Sequence, residues 1–205
     1  MNFQNLLESV SKNWKLLLLI LIVIVFAYMY YFQENFTEKH HHHHHHNHHE
    51  AVEKPAGILA SMVRIRFDPT KQPSTSGDDC IQVSQLAVYD QNGTNLALGR
   101  PVMYKSIHGS IPQSNFNIST DGTLDARPFP QIYHDGTCGG TNSGEFWMIE
   151  LDKPSYVTKV VYYNRQDCCQ ERATRLIVEL LDQNQNVVST KNLISSSLSE
   201  EVDFS

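Results

Sequence analysis

Short runs of β-branched and aromatic residues, separated by turn-forming sequences, most constrain the fold of this chain. The runs are Ile58–Phe67, Ile81–Tyr89, Phe146–Leu151, Val157–Tyr163, Leu176–Leu181 and Val187–Thr190. Turn sequences such as Asp90-Gln-Asn-Gly-Thr lie between them, and no segment in this part of the chain keeps an apolar stripe at helical spacing for long. The pattern predicts an all-β domain, an antiparallel β-sandwich, over residues 58–205.

An apolar segment near the N-terminus predicts one membrane-spanning helix over residues 14–32. The apolar run extends from Leu16 to Phe32, with Trp14 before it, and approaches the roughly 20 residues that a helix needs to cross a bilayer. Lysines flank its N-terminal side and glutamates follow it, which predicts a signal-anchor with residues 1–13 in the cytosol. A cleaved signal peptide is the alternative, but its apolar core would be shorter. We therefore expect the β-domain in the lumen or outside the cell.

A nearly continuous histidine run at residues 40–49 lies between this segment and the domain. Imidazoles bind nickel, copper or zinc, so the run is a candidate metal-handling segment. A spacer between an anchor and a globular head, however, needs only to be soluble and unstructured. We predict a disordered linker over residues 33–57, with metal binding as the alternative.

The four cysteines all lie in the predicted domain, at Cys80, Cys138, Cys168 and Cys169. Their spacing is unlike that of zinc ligands, and the expected compartment favours disulfides, for which four cysteines permit three pairings. Adjacent cysteines have Cα atoms about 3.8 Å apart, closer than the roughly 4.4 to 6.8 Å usual for a disulfide. A Cys168–Cys169 bond would therefore be strained, and strain tends to mark a functional site. If this pair closes on itself, Cys80 joins Cys138.

The octapeptide Arg165-Gln-Asp-Cys-Cys-Gln-Glu-Arg172 predicts a ligand-binding loop. Each guanidinium is a planar fork of donors that suits hydroxyl-rich or anionic ligands, and Asp167 would orient one of them. A ring closed by the two cysteines would offer a small apolar surface to the face of a sugar. The alternative is a surface salt-bridge cluster beside two free thiols.

Three segments of the chain resemble the F-type lectins, or fucolectins, of the discoidin-like galactose-binding-domain superfamily. The segment Val160–Leu181, with its Arg-x-Asp-Cys-Cys element, resembles their sugar-binding strand and loop. Asn95–Val102 is similar to the first segment of these domains, and Glu145–Asp152 to their tryptophan-bearing strand. The resemblance covers residues 60–204 and implies a jelly roll with the binding loops at one end. Anchored single-domain sandwiches with this motif also resemble proteins of large DNA viruses that infect protists.

The resemblance implies roles for five residues of the loop. In fucolectins two arginines bind the sugar, an aspartate supports them and a disulfide between adjacent cysteines packs on the sugar, which corresponds to Arg165, Arg172, Asp167, Cys168 and Cys169. The family also uses a histidine in an upstream loop, at a place where this chain has none. His134, four residues earlier, is the candidate to replace it, so the loop predicts lectin-like binding rather than fucose binding in particular.

The resemblance also implies a structural calcium ion after the first segment of the domain. Asn117 and Asp121 in Asn115–Thr123 would supply oxygen ligands to such a hard cation. The spacing is one residue longer than in the family, and a metal-free Asp-Gly turn is the alternative. Acceptor sequons for N-glycosylation are found at Asn35, Asn92 and Asn117.

Composition excludes several function classes. The chain has 16 Lys and Arg against 22 Asp and Glu, a net charge of −6, which disfavours nucleic-acid binding. No phosphate loop, nucleotide fingerprint or serine-centred nucleophile motif is present, so we expect a binding protein and not an enzyme. The first hypothesis is a membrane-anchored, lectin-like attachment or adhesion module for glycans or glycoproteins. The alternatives are a discoidin-like protein or lipid adhesion module, and an accessory or metal-binding module using the histidine run.

Overall fold

The computed structural model describes residues 22–28, 55–72 and 78–205. The chain divides into two compact units, Met1–Val52 and Glu53–Ser205.

In the first unit, residues 22–28 are helical, and they lie within the predicted span 14–32. Among the residues that the structure describes, no helix is long and apolar enough to cross a membrane. The rest of the predicted span, the N-terminal residues 1–13, Asn35 and the histidine run lie outside the described residues.

The second unit is built of antiparallel β-strands with short 3-10 helices between them. The strands of its described part are β1 (Ile58–Phe67), β2 (Gln82–Val83), β3 (Gln85–Tyr89), β4 (Val102–Tyr104), β5 (Tyr133–His134), β6 (Phe146–Val157), β7 (Lys159–Tyr163), β8 (Leu176–Leu181), β9 (Val187–Asn192) and β10 (Ser199–Asp203). They form a five-stranded sheet in the order β4-β6-β1-β8-β9, a three-stranded sheet in the order β10-β7-β3 and the small pair β2-β5. Every strand pair is antiparallel, as predicted.

The two larger sheets share one hydrophobic core. Val63 and Ile65 of the five-stranded sheet belong to the same buried cluster as Leu86, Val160 and Tyr162 of the three-stranded sheet. Alternate residues of β7 are buried, because successive side chains of a strand point to opposite faces. Each such side chain contributes roughly 1.5 to 3 kcal/mol by leaving water. The domain is therefore a β-sandwich, as predicted.

The predicted strands agree with the observed ones in part. Ile58–Phe67 and Leu176–Leu181 are confirmed residue for residue. The run Ile81–Tyr89 is broken at Ser84, whose hydroxyl accepts from Arg127 N at 2.6 Å, so β2 and β3 join different sheets. Strands β4, β5 and β10 were not predicted, because they are short or, in β10, mostly polar and exposed, and pairing with a neighbour defines them.

The two ends of the sandwich are formed by different loops and strand ends. Strands β6 and β7 diverge from a tight connection at Thr158 into different sheets. Strand β1 begins opposite Val157, and β10 ends opposite Lys159, so both lie at the same end as this connection. The loop that follows Tyr163 lies at the other end, together with β2 and β5. The octapeptide is therefore part of this second end.

Candidate ligand-binding site

Two buried or half-buried amide side chains hold the octapeptide loop in place. Asn164 accepts from Arg165 N at 2.8 Å with Oδ1 and donates to Gln170 O at 2.9 Å with Nδ2. Gln170 in turn donates from Nε2 to Arg165 O at 3.1 Å and to Gln166 O at 2.9 Å. Both ends of the loop are thus bonded to each other before the chain enters the 3-10 helix Gln170–Arg175 and β8. This bracing fixes the backbone from which both arginines project.

Arg165 is fixed by a carboxylate and an aromatic ring. Its Nε donates to Asp167 Oδ1 at 2.7 Å and its Nη2 to Asp167 Oδ2 at 2.6 Å, a bidentate ion pair. The guanidinium carbon lies 5.3 Å from the centroid of the Phe129 ring, a cation–π arrangement. Asp167 also accepts from Phe129 N at 3.1 Å, and the Arg165 hydrogen bonds hold the pKa of its carboxyl at about 2. The supporting role predicted for Asp167 agrees with this geometry.

The side chain of Gln82 connects the two arginines with His134. With its amide oxygen facing the basic groups, it accepts from Arg172 Nη1 at 2.6 Å and from Arg165 Nη1 at 3.3 Å, and it lies 3.1 Å from His134 Nε2. This orientation is favoured because the opposite one would place an amide NH₂ against two guanidiniums. Gln82 is buried. The predicted residues Arg165, Arg172 and His134 therefore meet at one point.

His134 is a buried histidine in the floor of this cluster. Its Nδ1 lies 2.7 Å from Asp135 O, and its ring centroid is 5.1 Å from that of His108 and 5.7 Å from that of Phe129. Burial lowers the pKa of His134, and the positive charges of the two arginines add to the effect. Nδ1 faces the Asp135 carbonyl oxygen and Nε2 faces the Gln82 amide oxygen, so protein oxygens occupy both ring nitrogens. His134 is therefore linked to the two arginines through Gln82.

The disulfide Cys80–Cys138 closes the base of the site. Beside it, the buried carboxylate of Asp135 accepts from Ile81 N and Cys138 N, both at 2.7 Å. Burial raises the pKa of Asp135, against the effect of these hydrogen bonds. Four side chains here are of metal-ligating types and lie within 4.8 Å of one another, namely Cys80, His134, Asp135 and Cys138. Because the two sulfurs are bonded to each other and both carboxylate oxygens accept N–H groups, the disulfide form offers no thiolate for a metal.

The second disulfide joins Cys168 to Cys169, the pairing predicted for the octapeptide. Cys169 has a φ of 66°, in the left-handed region that residues other than glycine rarely adopt. Both cysteines are half-buried, so part of the disulfide surface is exposed beside Arg165 and Arg172. No cysteine of the described chain is free.

The charges of the site nearly cancel. Arg172 forms an ion pair with Asp78 through Nη2, and Arg165 pairs with Asp167. Each guanidinium has five N–H groups, and these contacts leave donors on both arginines for a ligand. With neutral His134, the upper part of the site carries two positive and two negative charges.

The predicted calcium ligands lie in a turn whose oxygens already accept hydrogen bonds. Asn117 Oδ1 accepts from Val102 N at 2.9 Å. Both carboxylate oxygens of Asp121 accept from Arg127 Nη2, at 2.7 and 2.8 Å. Calcium binding stays a prediction.

The sequons of the described domain differ in accessibility. Asn92 is exposed in the turn between Asp90 and Thr94. Asn117 is held by Val102, and the hydroxyl of Ser119 in its sequon is buried and accepts from Trp147 Nε1 at 2.9 Å. Of these two sequons, only the one at Asn92 has both acceptor and hydroxyl residue on an exposed turn.

Four residues of the site were not identified from the sequence, namely Asp78, Gln82, His108 and Phe129. Gln82 lies in a predicted strand and Phe129 in a Pro-Phe-Pro sequence, far from the octapeptide in the chain. A polar residue inside an apolar strand is the one local signal that marks Gln82, because buried amides need specific partners.

No protein-family model, no curated protein and no solved structure matches this chain. The fucolectin resemblance therefore rests on the residues of the site, and what it implies remains a proposal.

The lowered pKa of His134 predicts a pH-dependent stability. Because the unfolded chain has an ordinary histidine pKa of about 6.5, it takes up this proton at a higher pH than the folded chain does. The free energy of unfolding therefore decreases as the pH falls below this ordinary histidine pKa. The raised pKa of Asp135 has the opposite effect on stability: it increases the free energy of unfolding as the pH falls through the acidic range.

We expect thermal unfolding between pH 7 and pH 5 to show a larger loss of Tm in the wild type than in His134→Gln. His108→Gln is the matched control, because it removes a neighbouring imidazole but leaves the buried one. Equal losses in the wild type and His134→Gln would contradict this assignment.

Proposed function

We propose that the domain is a lectin-like module that binds neutral glycans at the end of the sandwich formed by the octapeptide loop. The observation that carries the proposal is the buried Gln82 amide, which brings Arg165, Arg172 and His134 together. Residues distant in the sequence converge there on one amide oxygen and form one set of donors, as in sites that recognise a specific polar ligand.

The charge balance favours a hydroxyl-rich ligand without net charge. Arg165 and Arg172 are each paired with a carboxylate, Asp167 and Asp78. An anionic ligand would have to compete with these carboxylates and would bury an unbalanced charge. Hydroxyl groups can instead accept from the remaining guanidinium N–H groups.

Two apolar surfaces lie beside these polar groups. The half-buried Phe129 ring packs edge-on against His108, with centroids 5.2 Å apart, and the Cys168–Cys169 disulfide lies in the loop itself. A pyranose has a hydroxyl-bearing rim and an apolar face of C–H groups. The site offers hydrogen-bonding groups to the rim of such a sugar and apolar surfaces to its face.

The remaining parts of the proposal concern the fold and the location. The sandwich would be a jelly roll of the discoidin-like superfamily, and residues 14–32 would anchor it in a membrane with the head outside. A single sugar site of this kind binds weakly, and many copies on one membrane would supply avidity. Such a module would serve in attachment or adhesion without catalysis.

A glycan array tests the proposed function. The full-length protein, solubilised in detergent, is applied to an array carrying neutral fucosylated and galactosylated glycans beside sialylated and sulfated ones. We expect binding to neutral glycans that persists at high salt, because the paired charges leave little net field. Binding of the protein to the anionic glycans alone, or to no glycan, would contradict the proposal.

The adjacent disulfide provides a separate prediction. Replacing both Cys168 and Cys169 by serine is expected to weaken binding of the array glycans by about tenfold, since burying roughly 50 to 60 Å² of apolar surface contributes about 1.4 kcal/mol. Tm should change little, because a bond between neighbours closes almost no loop. Isothermal titration with the tightest neutral array glycan measures the loss. Unchanged affinity would remove the disulfide from the site.

A second candidate function is adhesion to proteins or lipids without sugar binding. One observation favours it: Ile194 is 77% exposed and Leu198 46% exposed in the connection between β9 and β10. This connection contacts the start of the octapeptide loop, where Asn164 N donates to Leu198 O at 2.9 Å. Replacing both apolar residues by serine should leave a lectin unaffected, whereas it should abolish adhesion through this surface. Liposome flotation of the full chain would be confounded by its anchor segment, so pull-down of surface proteins is the measurement.

A further inference from the structure

Arg127 has a largely buried guanidinium outside the ligand cluster. Its Nη2 donates to both carboxylate oxygens of Asp121, and its Nη1 donates to Ile118 O at 3.2 Å. The side chain is only 11% exposed, as little as that of Arg172. Unlike the two arginines of the site, Arg127 directs its charge into a turn of the protein.

The backbone of Arg127 supports the octapeptide loop. Arg127 O accepts from Gln166 N at 2.9 Å, and Arg127 forms an isolated parallel bridge with Arg165. Its N–H donates to the buried Ser84 hydroxyl at 2.6 Å. Two residues later, Phe129 N donates to Asp167 Oδ1 at 3.1 Å. Residues 127–129 therefore hold one side of the octapeptide loop in place and supply the aromatic ring beside it.

A second buried side chain completes the bonding of the turn. With its amide nitrogen facing the oxygens, Gln85 donates to Asp121 Oδ1 at 3.2 Å and to Ile118 O at 3.1 Å, and its oxygen accepts from Gly122 N at 3.0 Å. Burial raises the pKa of Asp121, but hydrogen bonds from Arg127 and Thr123 more than offset this and hold it below its ordinary value. The carboxylate is thus ionised at neutral pH beside a permanent cation.

We propose that Arg127 is a positioning residue that acts as the internal cation of the 118–122 turn and thereby holds the ligand-binding loop in register. The guanidinium neutralises Asp121 and binds the Ile118 carbonyl, which are the oxygens that a hard cation would otherwise use. The turn is then ordered without calcium. The effect on glycan binding rests on the proposed function, whereas the effect on loop order does not.

Amide hydrogen exchange of the full-length protein tests loop order without any ligand. Arg127→Gln removes the charge at similar length, and Arg127→Lys keeps one charge without the fork. Arg100→Gln is the matched control, because Arg100 also pairs with an aspartate, the exposed Asp152. We expect the amides of Gln166 and Phe129 to exchange about tenfold faster in Arg127→Gln, to a smaller extent faster in Arg127→Lys, and at the wild-type rate in Arg100→Gln.

Unchanged exchange at these two amides in both Arg127 variants would overturn the proposal. Uniformly faster exchange over the whole domain in Arg127→Lys would also overturn it, since a positioning role predicts a local effect. Each protein is measured with calcium chloride and again with EDTA. Protection of residues 118–122 in the wild type should be the same in both, and protection that requires calcium would overturn the proposal.

Glycan binding separates this inference from the proposed function. On the same array, Arg127→Gln should weaken every glycan that the wild type retains, and Arg127→Lys should recover part of the signal. A wild type that retained no glycan would defeat the proposed function, while the exchange result would still decide the role of Arg127.

Discussion

Arg172→Ala and Arg165→Ala are each expected to lower glycan affinity by about 100-fold. Each change removes charge-assisted hydrogen bonds to the ligand, worth roughly 1.5 to 3 kcal/mol apiece, and removes one of the contacts of the Gln82 amide oxygen. Arg172→Ala also removes the ion pair with Asp78 at the edge of the site. Titration calorimetry with the tightest neutral array glycan measures both losses.

The two lysine variants sharpen this result. Arg172→Lys and Arg165→Lys keep the charge but lose the planar fork, so affinity should recover only slightly. Arg100→Ala, which breaks a surface pair with Asp152, should bind as the wild type does. Wild-type affinity in both arginine-to-alanine variants would refute the assignment of the site, and full recovery in the lysine variants would refute bidentate recognition.

Loss of the Cys80–Cys138 disulfide is expected to lower the free energy of unfolding by about 4 kcal/mol. The bond joins residues separated by 58 positions, and in the chain-entropy model a loop of that length restricts the unfolded chain by about this amount. The disulfide also borders His134 and Asp135 under the site, so glycan binding should fall in the same variant. Urea unfolding of Cys80→Ser/Cys138→Ser measures the change.

The adjacent disulfide is the internal control for this experiment. Cys168→Ser/Cys169→Ser removes the same chemical bond but almost no loop, so its urea midpoint should stay close to that of the wild type. A similar loss of stability in both double variants would contradict the loop-closure explanation, as would a change below about 1 kcal/mol in Cys80→Ser/Cys138→Ser.

The long apolar strands and the octapeptide were predictable because their signals are local. Strand β1 alternates apolar and polar residues from Val63 to Phe67, and β8 is apolar except for Glu179. In the octapeptide, Asp167 was expected to orient one of the two arginines, and it forms an ion pair with Arg165, two positions away. The pairing of adjacent cysteines left one partner for Cys80, so the second disulfide followed.

The other parts of the site depend on contacts between distant segments. Gln82 meets Arg172 ninety positions away, on a β2-β5 pair that is only two residues long and has no periodic pattern. Phe129 contacts Arg165 and Asp167, and the sequence around Phe129 gives no signal of these contacts. The ion pair between Arg127 and Asp121 could not be predicted either, because a carboxylate beside glycine does not reveal which cation reaches it.

The placement of the site on the sandwich determines how the domain can be presented to a ligand. Strand β1 begins, and β10 ends, at the end of the sandwich that lies opposite the octapeptide loop. The last core side chain, Phe204, is buried, and its N–H donates to Thr158 O at 2.7 Å. Immobilisation through residues before Ile58 would therefore leave the loop facing the solution, and every attached copy would present it in the same direction. Trimming the C-terminus past Phe204 would instead remove part of the core.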